Sequence, residues 1–155
     1  MEDIKIRELR REDCVSLRKL MQELADFQEM PDAIELNSED LQKYAFGENP
    51  RFYAFVAEFN GDLVGHAIYY DTFSSWRGKC MFLDELYVKS EFRNKGIGSL
   101  LYDAVKKRAK SEGCARLQFL TLKSNPAKEF YKRRGAVNVT EKIQWELYEV
   151  DKNNL

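Results

Sequence analysis

Hydrophobic and polar residues alternate at the start of the chain, with Ile4 and Ile6 set against Lys5 and Arg7, which predicts a first strand to Leu9. Residues 11–28 then carry Cys14, Leu17, Leu20, Met21 and Leu24 at helical spacing, and Pro31-Asp32 breaks that helix. Ser38 is the N-cap candidate of a short helix over "EDLQKYAF", closed by Gly47. "RFYAFVAEF" and "DLVGHAIYYDTF" read as two strands joined at Asn60-Gly61, the strongest hairpin signal in the chain. The loop "SSWRG" leads to a third strand of this group, "KCMFLDELYV". A helix running from near Gly98 to Glu112 has Leu100, Leu101, Ala104, Val105 and Ala109 on its apolar side, and Gly113 ends it. "ARLQFLTL" follows as a strand, Pro126 sits in the first turn of a helix that Gly135 closes, and "KIQWELYEV" predicts a final strand. The order β-α-α-β-β-β-α-β-α-β predicts an α/β fold. Its mixed, largely antiparallel sheet has an antiparallel front and one β-α-β crossover behind. With no linker, repeat or low-complexity tract, residues 1–155 are expected to form a single domain.

Composition narrows the class. Hydrophobic residues at 44% and aromatics at 13% suit a packed globule, and a net charge of −1 excludes a polyanion binder as a whole. No apolar run approaches the ~18 residues of a membrane span. The N-terminus "MEDIKIREL" lacks the signal-peptide pattern, so no membrane association is expected. Cys14, Cys80 and Cys114 are odd in number and form no C-x-x-C, which fits reduced thiols in a cytoplasmic protein. The single histidine, His66, excludes a multi-histidine metal site and reads as a packed strand residue, so no metal is expected. The near-zero charge hides an asymmetry. Asp26 to Glu48 holds seven acids against Lys43 alone, whereas Lys89 to Arg134 holds thirteen Lys/Arg against four acids. An acidic surface for a cationic ligand and a basic one for an anionic ligand would use that split; ordinary solvated helix faces would also produce it.

The sharpest motif is Arg93-Asn94-Lys95-Gly96-Ile97-Gly98-Ser99, placed where a strand hands over to a helix. A helix N-terminus presents unpaired N–H groups and partial positive charge, and glycines let an anion approach the backbone closely. The spacing is neither G-x-G-x-x-G nor the P-loop pattern, so dinucleotide and NTP sites lose support. R-x-x-G-x-G in this setting resembles the acetyl-CoA pyrophosphate loop of the GNAT N-acetyltransferases. "FGENPRFYAFVAE", "AIYYDTFSSWRGK", "FLDELYV", "FRNKGIGS" and "FYKRRGA", in that order from Phe46 to Ala136, resemble in particular the spermidine/spermine (diamine) acetyltransferases and their thialysine-acetylating relatives.

That resemblance implies a GNAT fold, acetyl-CoA as cosubstrate and a small cationic amine as acceptor. Acetyl transfer from a thioester needs a neutral amine, a stabilised oxyanion and a protonated leaving thiolate, and aliphatic amines titrate near ~10. The consecutive acids Asp84 and Glu85, mid-strand in an apolar run, are the candidates to take the amine proton. Strand alternation would put only one of them on the active face. The resemblance points to Asp84 acting through water, although the relatives read Leu-Glu-Asp where this chain has Leu83-Asp84-Glu85, so the base stays open between the two acids. It gives Tyr131 as the general acid, and a phenol near ~10 suits that role. It also assigns the backbone of Leu86, Tyr87 and Val88 to the oxyanion and pantetheine arm, and residues 93–99 (Arg93, Asn94, Lys95, Gly96, Ile97, Gly98, Ser99) to the pyrophosphate. Ser124, Asn125, Pro126 and Ala127 are a second expected CoA contact, in a loop one residue shorter than in the relatives. Phe27, Gln28, Glu29, Glu85 and Trp76 join Asp84 as expected acceptor contacts. Phe27-Gln28 stands where polyamine enzymes carry Tyr-Glu, which favours a lysine-like acceptor such as thialysine.

Three other readings compete. A protein acetyltransferase of the same fold would need an open groove, against the aromatic-rich "FYAFVAEF" and "FSSWRG". A non-catalytic CoA-binding module would have no need of both Tyr131 and Asp84. A nucleic-acid binder has the basic segment but neither the net charge nor a reading element. Ile143, Trp145 and Leu147 on one face of the last strand, together with the resemblance, predict a homodimer with that strand at the interface.

Overall fold

Asn60 and Gly61 both adopt positive φ, 49° and 86°, the backbone that a two-residue hairpin turn requires. They join β2 (Tyr53–Phe59) to β3 (Asp62–Ser74), with Phe59 opposite Asp62. The computed structural model describes residues 3–155 and divides into two compact units at Leu120/Thr121. In the first, β1 (Ile4–Glu8) pairs antiparallel with β2, and β4 (Gly78–Val88) pairs antiparallel with β3. The short β5 (Leu117–Phe119) pairs parallel with β4, so the sheet order is β1-β2-β3-β4-β5. Helix α3 (Ile97–Ser111) makes the crossover that a parallel pair needs. This is the mixed, mostly antiparallel α/β sheet that the sequence order predicts.

Two helices cover one face of the sheet. Leu17, Leu20, Met21 and Leu24 of α1 (Cys14–Phe27) and Leu41 of α2 (Ser38–Phe46) pack with Ala54, Val56, Ile68 and Tyr87. The N-cap of α2 is Asn37, not Ser38: its side chain accepts the Asp40 N–H at 2.9 Å while the Asp40 carboxylate accepts the Asn37 N–H at 3.0 Å. This reciprocal box satisfies two otherwise orphaned donors, which a serine one residue later would not do. On the other face, α3 approaches so closely at Gly65 that a Cβ there would lie 2.8 Å from Tyr87 O and 3.2 Å from Leu101 Cδ1.

In the second unit, α4 (Lys128–Arg133) follows a turn in which Asn125 Oδ1 accepts the Ala127 N–H at 2.8 Å, and Pro126 lies just ahead of the helix. Gly135, at φ 88°, closes α4 through its N–H to Lys132 O. The expected final strand is not formed. Residues Thr140–Ile143 make a short helix, α5, Gln144 turns left-handed at φ 49°, and residues 144–150 have no ladder partner among the described residues. Alternating apolar residues favour an extended chain, but only a neighbouring edge makes it a strand.

One buried ion network ties β1 to the start of α1. Arg7 donates from Nη1 and Nη2 to Asp13 at 2.7 and 3.0 Å and from Nε to Glu58 at 2.7 Å; the Arg10 N–H also donates to Asp13. Burial opposes the Asp13 charge, but these donors outweigh it and lower its pKa. That stabilisation is complete above the ordinary aspartate value of ~3.9 and is lost as pH falls through the lower folded value. Asp13→Asn should cost about 1.5–3 kcal/mol in urea unfolding at pH 7, and the gap to wild type should narrow as pH falls below ~3.9; a gap independent of pH would contradict the assignment.

Candidate active site

The two acids of "LDEL" lie at a break in the β3–β4 register. Ile68 pairs with Glu85, but Tyr69 pairs with Leu83, so Asp84 is an extra residue bulged from β4. His66, Ile68 and Tyr70 share one face of β3, and their partners Tyr87, Glu85 and Phe82 share it across the ladder. Asp84 falls on the face of Phe82 by alternation. Both carboxylates therefore stand on the α1/α2 face, contrary to the expectation that alternation would separate them. Asp84 reaches solvent, but surrounding protein and then the Glu85 charge raise its pKa. Tyr70, stacked on Phe82 at 5.4 Å, has its own pKa raised by burial and by Asp84. Glu85 lies 3.7 Å from Nε2 of the fully buried His66.

The bulge also decides which backbone groups face the open edge. The β4–β5 ladder ends at the Leu83–Phe119 pair. Lys89 N–H bonds Val64 O on β3, so alternation turns the amides of Leu86 and Val88 towards the β5 edge, beyond the ladder's end. There Arg93 Nε donates to Val88 O at 3.0 Å. The Arg93 guanidinium lies over the rings of Phe27, at 4.8 Å, and Tyr87, at 5.5 Å, so this arginine joins the glycine loop to the end of α1.

The glycine loop turns through two left-handed residues, Asn94 at φ 59° and Gly96 at φ 81°, and Gly96 is the N-cap of α3. The first bond returned by α3 runs from Leu100 N–H to Gly96 O, which leaves the Ile97 and Gly98 amides without a helical acceptor. Gly98 has no positive φ, and a Cβ there would meet only Val88 Cγ2, at 3.9 Å. The fold alone does not require glycine at this position; close approach of a ligand would. Lys95 and Asn94 are exposed on the same loop, and Ser99 is half-buried in the first turn of α3.

Of the expected acceptor contacts, Phe27 ends α1, half-exposed Gln28 caps it, and Glu29 follows in a left-handed conformation. Trp76 is not brought to the acids. It stands in the β3–β4 turn, and the six residue steps from Gly78 to Asp84 span roughly 20 Å of strand. In the second unit Ser124 to Ala127 precede α4, and half-buried Tyr131 sits on that helix with its ring 5.2 Å from Phe130. Two polar neighbours of the expected site residues escaped the sequence reading. Glu23 accepts the Tyr87 hydroxyl at 3.1 Å, and Tyr70 neighbours Asp84; each comes from an amphipathic element whose pattern carries no catalytic signal. No group of three metal-ligating side chains occurs among the described residues, and no helix among them is long and apolar enough to cross a membrane.

Residues 17–136 match the acetyltransferase (GNAT) family. A thialysine N-epsilon-acetyltransferase from Bos taurus is 34% identical over 94% of this chain and 91% of its own length. A spermidine/spermine N(1)-acetyltransferase-like protein 1 from Homo sapiens is also 34% identical over the whole chain, which spans 24% of that longer protein. Among solved structures, an integron cassette protein from the mobile metagenome of V. cholerae superposes with a TM-score of 0.78 at 26% identity, covering 98% of this chain and 94% of its own. An aminoglycoside acetyltransferase from a soil metagenomic sample, in complex with sisomicin, shares the fold at a TM-score of 0.76 and 21% identity, over 97% and 98% of the two chains. With its sheet, its glycine-opened α3 and its sequence in agreement, the chain belongs to the GNAT acetyltransferase family and is an N-acetyltransferase.

Proposed function

We propose that this enzyme transfers acetyl from acetyl-CoA to a primary amine of a small cationic acceptor, a lysine-like amine such as thialysine first and a polyamine second. The observation that carries the reading is the bulge in β4. It sets two carboxylates on one face and, one and three residues past Glu85, turns the Leu86 and Val88 amides to an edge with no ladder partner among the described residues. A cationic amine is drawn to the acids, and those amides are available to negative charge developing on a carbonyl. Asp84 is the proposed proton acceptor, directly or through water. It works ionised, so activity falls as pH drops through its raised pKa.

Acetyl-CoA would supply the activated acetyl thioester. The residues that fit it are the Leu86 and Val88 edge for an extended arm and the Ile97 and Gly98 amides, with Lys95 at the rim, for the pyrophosphate. Ser124 to Ala127 form the proposed second contact. Tyr131 is the proposed donor of the proton that the leaving thiolate takes up. Phe27, Gln28 and Glu29 are the proposed acceptor contacts beside Arg93. The exposed Trp145, Leu147, Tyr148 and Val150 support a homodimer that covers the C-terminal segment. The proposed setting is the cytoplasm, which suits three free thiols.

CoA-thiol release should be measured with thialysine, lysine, spermidine, spermine, putrescine and a histone-tail peptide. Turnover of the small amines, thialysine foremost, is expected; turnover of the peptide alone would move the acceptor class to proteins. Tyr131→Phe should lower kcat roughly a hundredfold or more with acetyl-CoA affinity retained. Asp84→Asn should abolish the acid limb of the kcat/KM profile while leaving the melting temperature unchanged or higher, since burial and Glu85 both disfavour the native charge. Gly98→Ala should likewise keep or raise the melting temperature, yet weaken acetyl-CoA binding by roughly tenfold, the ~1.4 kcal/mol of about one displaced hydrogen bond. Unchanged affinity would remove Gly98 from the cofactor site.

A further inference from the structure

His66 is fully buried in β3, and neither ring nitrogen has a hydrogen-bond partner. A buried imidazole must carry at least one N–H, and leaving it unsatisfied costs about 1–3 kcal/mol. The neighbouring elements offer little else. Val56 of β2 faces His66 across the ladder, and α1 brings the apolar row of Leu17, Leu20, Met21 and Leu24 to this face. From α1 the nearby charge is Glu23, which already accepts the Tyr87 hydroxyl and lies 4.0 Å from Lys89 Nζ. From β4, the Tyr87 ring lies 6.0 Å from the imidazole, and Glu85 Oε2 is 3.7 Å from Nε2. That carboxylate is one short side-chain adjustment from a hydrogen bond.

We infer that His66 is a positioning residue for the acid pair: its Nε2–H donates to Glu85 and holds that carboxylate in place beside Asp84. The inference rests on the acetyl-transfer reading and adds a division of labour to it. Two adjacent carboxylates on one face of a bulge are otherwise equivalent claimants for the amine proton. With Glu85 engaged from beneath by a buried donor, Asp84, the bulged and solvent-reached member, is the one left to receive it. His66 touches neither acceptor nor cofactor in this scheme. It acts through Glu85.

The chain has one histidine, so its imidazole signals are unambiguous. Nitrogen-15 spectra of the ligand-free protein should show the proton on Nε2, and Glu85→Gln should shift the balance between the two ring nitrogens. A spectrum that keeps the proton on Nδ1, or that ignores Glu85→Gln, overturns the contact whatever the enzyme acetylates. In kinetics, His66→Phe should lower kcat/KM for the amine by roughly ten- to a hundredfold with acetyl-CoA affinity unchanged. His66→Gln, whose amide nitrogen reaches nearly as far as Nε2, should recover much of that loss. Full activity in His66→Phe overturns the role, as does equal loss in both variants, which marks a packing residue. If His66→Phe does not fold, the wild-type spectra and His66→Gln decide. Should wild type acetylate no amine at all, the parent reading fails and the positioning role with it, while the spectra still report whether the pair exists.

Discussion

One extra residue in β4 sets the geometry on which the chemistry proposed for this protein depends. A strand that kept register with β3 would alternate Asp84 and Glu85 between faces and, with the Met81 and Leu83 amides turned to β5, would aim those of Leu86 and Val88 at β3 instead. The bulge at Asp84 reverses the phase after Leu83. Both acids then face α1 and α2, and the Leu86 and Val88 amides turn to the edge where the β5 ladder has stopped. The carboxylate pair and the open strand edge are one structural event. The proposed site, which handles a proton and a carbonyl close together, draws on both.

The rest of the first unit holds that event in place. The Asn60-Gly61 turn pins the β2–β3 register, and Gly65 lets α3 sit close enough to present its N-terminus beside the end of β4. Arg93 then ties the loop ahead of α3 to the Val88 carbonyl and to the ring of Phe27 at the end of α1. The loop expected to meet an anion and the helix end expected to meet a cation are thus mechanically joined through one guanidinium. An arginine read from sequence as a phosphate ligand is, in the folded chain, first a brace between two elements.

Burial of charge is used sparingly and with opposite results. Asp13 is buried with Arg7, its charge is favoured, and it fastens β1 to α1. Asp84 is crowded beside another acid without a cation, and its charge is disfavoured. The first arrangement serves stability. The second costs some stability and leaves a group suited to taking up a proton, which is how functional acids commonly differ from structural ones.

Most of the architecture was legible in the chain itself, because hydrophobic periodicity and turn chemistry are local. The hairpin at Asn60-Gly61, the apolar row of α1, the glycine entry to α3 and its stop at Gly113 all follow from residues within a few positions of one another. The glycine motif and "FYKRRGA" likewise carried the family. Tertiary structure decided what depends on a neighbour. Asn37 displaced Ser38 as the cap of α2 because Asp40 could answer it, and residues 144–150 stayed out of any ladder because a strand exists only against an edge. The bulge is a mismatch between two strands, invisible in either alone, so alternation misjudged the two acids. His66 was rightly read as packed, but its two unpartnered nitrogens and the carboxylate beside it appear only when β3 and β4 are laid together.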